Sequence, residues 1–219
     1  MGGYSTPPAS FEDLHRPFIE AGGLDYCDLY SLHIYPGGEP EFIAGQLDRI
    51  TELMDAHGGR KPMWMTEYAY YADDDAAPVP RRWPGLVESE LVQAQWNTRM
   101  CILQLAHGVD KIFYHIWTTQ ANRDLGTAIF FEVGGAPRKI AVSQAAMAWL
   151  LGPAPRLQRA ADLDPHASCY LFRNQAGIGG GPITVAVAWH HFGELPITVP
   201  EGVQVYDLAG APVAGREVT

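Results

Sequence analysis

The order of residues predicts an α/β fold with a parallel sheet, followed by a small antiparallel β-sandwich-like domain. Three observations carry that prediction. In the first part of the chain, short apolar runs alternate with longer stretches of helical period, the pattern of successive βα units. After Pro155 the helical period gives way to β-branched runs broken by Gly, Pro and Asp. At 219 residues the chain holds one ordinary domain and a small second one, and its 47% hydrophobic content argues for a packed core over disorder. The boundary falls near Gly152 to Pro155, which divides the chain into 1–153 and 154–219.

The elements follow in order. Residues 11–21 read as a helix and 27–34 as a strand. A helix over 40–56 stops at Gly58-Gly59, where the left-handed backbone of a helix end favours glycine. Lys61-Pro62-Met63-Trp64-Met65-Thr66-Glu67-Tyr68 is a short buried strand entered through a proline and tipped by one carboxylate. Residues 70–86, with Asp73-Asp74-Asp75 and three prolines, form a long loop at that strand's C-terminal end. A helix over 87–107, the strand Lys111-Ile112-Phe113-Tyr114-His115-Ile116-Trp117 and a helix over 139–151 complete the first part. Strands over 169–173, 183–190, 195–199 and 203–208 make up the second, with Gly177 to Gly181 as a hairpin loop.

Several function classes are excluded or disfavoured. A net charge of −10 lacks the Lys and Arg clusters needed to neutralise a nucleic-acid backbone. No apolar run reaches membrane-spanning length, and Met1-Gly2-Gly3-Tyr4 is not a basic-then-apolar leader. Nothing points to a compartment. Cys27, Cys101 and Cys169 lack Cys-x-x-Cys spacing and read as ordinary buried thiols. No metal site is expected: His190 and His191 point to opposite faces of a strand, and Asp73 to Asp75 lack the spaced ligands of a calcium loop.

Glu67 is the residue that asks for a reason. A carboxylate closing an otherwise apolar strand is costly unless it is paired or used, and the C-terminal ends of parallel barrel strands are where catalytic groups gather. Strand alternation puts Ser31, His33 and Tyr35 on one face, and Met63, Met65 and Glu67 on one face of their own strand. The Tyr35 hydroxyl could then hold the Glu67 carboxylate in line. Trp117 could stack on the apolar face of a ligand or fill a core.

Three segments together resemble the C-terminal half of a retaining glycoside hydrolase of clan A, the (β/α)8-barrel group that includes cellulase, mannanase and β-xylosidase families. Ser31-Leu32-His33-Ile34-Tyr35-Pro36 resembles the sixth barrel strand, Trp64-Met65-Thr66-Glu67-Tyr68 the seventh and Tyr114-His115-Ile116-Trp117 the eighth. The resemblance implies a partial (half) TIM barrel of about four βα units. It makes Glu67 the nucleophile of retaining hydrolysis and His33, Tyr35, Trp117 and Trp83 contacts to a β-linked polysaccharide or oligosaccharide. No cofactor is implied, because two carboxyl groups suffice for the reaction.

The clan's acid/base follows an Asn at the fourth strand, and no Asn-Glu pair occurs here. A full barrel takes about 250 residues, so the chain is expected to begin after that residue. Two rival readings follow: a catalytically inactive carbohydrate-binding half-barrel, or a rearranged site that recruits Glu12, Asp73 or Glu132. Half a barrel leaves two strand edges and an inner face, with Leu29, Met63, Met65 and Phe113 expected to line it. A homodimer closing the barrel would cover that face, as would the β domain.

Overall fold

The computed structural model describes residues 5–6, 11–72, 86–115, 130–131, 135–164, 166–177, 180–215 and 217–218. They divide into two compact units, 1–141 and 142–219. In the first, β1 (Ser5–Thr6), β2 (Tyr30–Ile34), β3 (Met63–Glu67) and β6 (Val109–Ile112) form a four-stranded sheet in that order. All its neighbours are parallel. The crossovers carry α1 (His15–Glu20), α2 (Phe42–Ala56) and α3 (Glu90–Ala106), while β4 (Tyr71–Ala72) and β5 (Leu86–Val87) form a separate parallel pair. Mixed helix and parallel strand is thus the architecture of this unit.

The helices begin and end for identifiable reasons. The first is shorter than the expected 11–21, because Pro17 is tolerated only in a first turn, where its missing N–H has no helical partner to lose. Ser89 caps α3, its Oγ accepting from Val92 N at 3.3 Å. Gly58 and Gly59 end α2 with φ of +109° and +94°, and Gly59 N donates back to Met54 O at 2.8 Å.

The sheet has a covered face and a half-open one. Tyr30, Leu32, Ile34, Met63 and Met65 are buried, as are Ile43, Leu47, Ile50 and Met54 of α2 and Met100, Ile102 and Leu103 of α3. Met63 and Met65 therefore belong to the core, not to the exposed inner face expected for them. The opposite face carries Ser31, Trp64, Thr66, Lys111 and Phe113, the last 45% exposed. Its groups pair among themselves: Ser31 Oγ meets Thr66 Oγ1 at 2.7 Å, Trp64 and Phe113 rings lie 5.8 Å apart, and Lys111 Nζ stands 4.5 Å over the Trp64 ring.

The last parallel strand also differs from expectation. It spans Val109–Ile112 rather than Lys111 to Trp117, starting directly after Gly108 at φ +89°. Asp110 is the extra residue of a register shift against β3, and its carboxylate accepts from Met63 N at 3.0 Å. Beyond it the chain still follows β3, with Phe113 N donating to Met65 O at 2.8 Å and His115 N to Tyr68 O at 3.1 Å.

The helix α4 spans Lys139–Leu151, as the sequence predicts, and stops at Gly152 with φ +72°. In the second unit, β7 (Arg156–Asp164), β8 (Ala167–Asn174) and β9 (Ile183–His190) form an antiparallel sheet. Two short antiparallel pairs join β10 (Ile197–Thr198) to β13 (Glu217–Val218) and β11 (Val205–Tyr206) to β12 (Pro212–Val213). The first of these strands was not foreseen, because 156–164 contains no β-branched residue. Pairing along the length of β8, not intrinsic preference, makes it a strand.

Candidate functional site

Glu67 closes β3 at its C-terminal end, and a bulge decides which way it faces. Leu32 pairs with Met65, but the next residue, His33, pairs with Glu67, so Thr66 is an extra residue in β3. Simple alternation would have put Glu67 on the buried side with Met63 and Met65. The bulge turns it to the half-open side instead, onto the face of His33 and Tyr35. The expected shared face of Ser31, His33 and Tyr35 stands; that of Met63, Met65 and Glu67 does not.

Around the carboxylate the contacts are polar and specific. The Tyr35 hydroxyl donates to Glu67 Oε1. His33 Nδ1 stands 3.7 Å from Oε2, and His115 Nδ1 stands 3.9 Å from Oε1. His115 also approaches the Tyr35 hydroxyl at 3.2 Å. The Glu67 side chain is 27% exposed, so the carboxylate is held yet reachable. Burial, and then the hydrogen bond to Glu67, push the Tyr35 hydroxyl well above its usual pKa, which keeps it a neutral donor at any working pH. Glu67, His33 and Tyr35 thus come together as the sequence suggested. His115 joins them unforeseen. Its position two residues before Trp117, in the segment that resembles the eighth barrel strand, is the available signal.

Behind the carboxylate lies an aromatic floor. Tyr68, Ala69, Tyr70, Tyr71 and Ala72 are all at or below 2% exposure. The Tyr68 hydroxyl donates to Asn97 Oδ1 at 2.7 Å and lies 2.8 Å from Cys101 Sγ. Its ring meets Tyr114 edge-on at 4.7 Å, and Tyr114 meets Phe130 edge-on at 4.9 Å. Gln93 Nε2 donates to Tyr70 O at 2.7 Å, and the Tyr70 hydroxyl donates to Gly38 O at 3.0 Å. Burial pushes the Cys101 thiol up to about 12, so it packs as an inert group. None of the three cysteines is in a disulfide; Cys101 and Cys169 are buried and Cys27 partly so.

Of the remaining candidates, Trp117 and Trp83 lie outside the described residues, as do Asp73 and Glu132. Glu12 is an exposed carboxylate paired with Arg16 and Arg49. The hydrogen bond from Arg16 lowers its pKa, the opposite of what a general acid needs.

No protein-family model matches the chain, and no curated protein matches it either. Among solved structures, a family 39 glycoside hydrolase from the gut symbiont Bacteroides cellulosilyticus WH2 superposes with a TM-score of 0.66 at 17% identity. That match covers 90% of this chain and 42% of the other, so the chain spans well under half of that neighbour's length. A β-glucuronidase 2 of Bacteroides uniformis, covalently bound to cyclophellitol-6-carboxylate aziridine, gives 0.44 at 10% identity over 84% of this chain and 28% of that one, too distant to bear on the fold. The chain has a glycoside hydrolase-like fold. Among the described residues, no helix is long and apolar enough to cross a membrane.

Proposed function

We propose that this chain is a glycoside hydrolase, or part of one, that acts on β-linked polysaccharide or oligosaccharide by a retaining mechanism with Glu67 as nucleophile. One observation carries the reading: a partly exposed carboxylate at the C-terminal tip of a parallel strand, fixed by the Tyr35 hydroxyl and flanked by two imidazoles. A nucleophile of this kind must stay ionised and point at the anomeric carbon. The Tyr35 hydrogen bond fixes the direction of one oxygen and leaves Oε2, beside His33, to attack. In this reading His33 also contacts a sugar hydroxyl, Trp117 floors the sugar site and Trp83 lines an outer subsite.

The four parallel strands correspond in this proposal to the fifth to eighth strands of a (β/α)8 barrel, with 154–219 as a C-terminal β domain. Support comes from the order β1-β2-β3-β6 with parallel crossovers and from the fold shared with the family 39 enzyme. The acid/base would then come from residues other than those described around Glu67.

A trapping experiment tests the assignment. Incubation with a panel of activated 2-deoxy-2-fluoro glycosides, followed by peptide mass mapping, is expected to place a glycosyl ester on Glu67. Slow activated substrates should also turn over faster with azide, which resolves the ester without general-base help. Labelling at another carboxylate overturns the role of Glu67. Saturable oligosaccharide binding without any labelling or turnover would favour the inactive carbohydrate-binding reading.

A further inference from the structure

The Tyr35 hydroxyl has one proton and two lone pairs. Its proton goes to Glu67 Oε1, an atom that only accepts. The side chain of Tyr71 also hydrogen-bonds to Tyr35, and His115 Nδ1 stands 3.2 Å from its oxygen. With the hydroxyl proton committed to the carboxylate, the Tyr35 oxygen offers His115 nothing but a lone pair. An Nδ1 atom without a proton would set two lone pairs against each other, with Glu67 Oε1 only 3.9 Å away. An Nδ1 atom that carries a proton turns both approaches into attractions.

We infer that His115 is a positioning residue for Glu67: its Nδ1–H donates to the Tyr35 oxygen, and the Tyr35 hydroxyl donates in turn to Glu67 Oε1. The inference rests on the proposed role of Glu67 and supplies what keeps its hydrogen-bond donor in place. A donor aimed at the Tyr35 oxygen polarises the hydroxyl and strengthens its bond to the carboxylate. It also blocks the rival arrangement in which the hydroxyl swings to a bare Nδ1 and leaves Oε1 without its proton. Among the described residues, the titratable groups around the carboxylate are His33 and Tyr35 from the end of β2, His115 beyond β6 and, behind Tyr35, Tyr71 of β4. His33 meets the other oxygen at 3.7 Å, so it does not substitute for His115.

The tautomer is measurable in the unaltered protein. Long-range proton–nitrogen correlation on chain labelled with ¹⁵N-histidine reads which ring nitrogen carries hydrogen. A proton on Nδ1 of His115, in the neutral or the charged ring, is the expected result; a bare Nδ1 while Glu67 is ionised overturns the inference. Two variants separate positioning from simple packing. His115→Asn keeps an amide donor near the Nδ1 position, whereas His115→Leu keeps bulk and removes the donor. With ¹³C-carboxyl glutamate, the Glu67 carboxyl resonance at a fixed pH should be displaced in the Leu variant and stay at its wild-type position in the Asn variant. Equal displacement in both variants, or none in either, overturns the positioning role. Neither measurement needs turnover. A chain with the expected tautomer and carboxyl resonances but no glycosyl ester on Glu67 would retain this inference and lose the hydrolase reading.

Discussion

The two faces of one parallel sheet divide the work of this molecule. On β2, Tyr30, Leu32 and Ile34 are buried, while Ser31 and His33 between them and Tyr35 just beyond are only half-buried. On β3 the same alternation holds through Thr66 and is then broken by the bulge that turns Glu67 to the half-open side. One face holds the fold together and the other carries the groups proposed to react. They are linked only by the extra residue. Substitutions should therefore fall into two classes that barely overlap: loss of stability with intact chemistry, and loss of chemistry with intact stability.

The largest expected effect belongs to the open face. Under the proposed nucleophile role, Glu67→Gln keeps shape and removes the attacking charge, so turnover of activated glycosides should fall by about 10⁴-fold or more, roughly 5 kcal/mol of barrier. Its thermal midpoint should stay within about 2 °C of wild type. A variant that loses stability as much as activity would merge the two faces. Met65→Ala on the covered face is the converse. It should lower unfolding free energy by about 2–5 kcal/mol in urea titration, while the fraction that remains folded still accepts a glycosyl label.

The covered face has its own titratable group. His15 is 6% exposed, and its Nδ1 lies 2.7 Å from the hydroxyl of buried Tyr30. Burial lowers its pKa from 6.5 to about 4. The unfolded chain therefore binds a proton that the folded chain refuses. The stabilisation is complete above about pH 6.5 and is lost as pH falls towards 4, by roughly 3 kcal/mol in all. His15→Phe should flatten that part of the stability–pH curve without moving the optimum of any glycosidase activity. A curve of unchanged slope would show that the folded state already accommodates the charged ring.

The smallest energetic effect, with the clearest readout, concerns assembly. Phe113, Trp64 and Lys111 on the open face are the groups a barrel-closing homodimer would bury. If that homodimer forms, light scattering at micromolar concentration gives the mass of two chains, and Phe113→Ser should reduce it to one while changing unfolding free energy by less than about 1 kcal/mol. A single-chain mass in the wild type removes the dimer.

Much of this was legible in the sequence, and the gaps have physical causes. The α/β alternation, the 139–151 helix, the 183–190 strand and the carboxylate ending the strand after Lys61-Pro62 all show as local pattern. The bulge at Thr66 does not, because it is a property of two strands in register and not of one strand's alternation. The same limit hid the 156–164 strand, whose residues have little β preference, and misplaced the faces of Met63 and Met65. His115 was missed for a related reason: only the continued pairing of 113–115 with the end of β3 carries it to Glu67.

Tyr68 gives the site an internal clock. Its ring is fully buried, anchored through its hydroxyl to Asn97 and braced edge-on by Tyr114. A half-turn of that ring exchanges its two equivalent edges, yet in a close-packed interior it can happen only when the surroundings briefly swell. The exchange rate of the paired ring protons thus counts the moments at which the platform beneath Glu67 loosens. It reports the breathing of the site from beneath, with no ligand present and no chemistry under way.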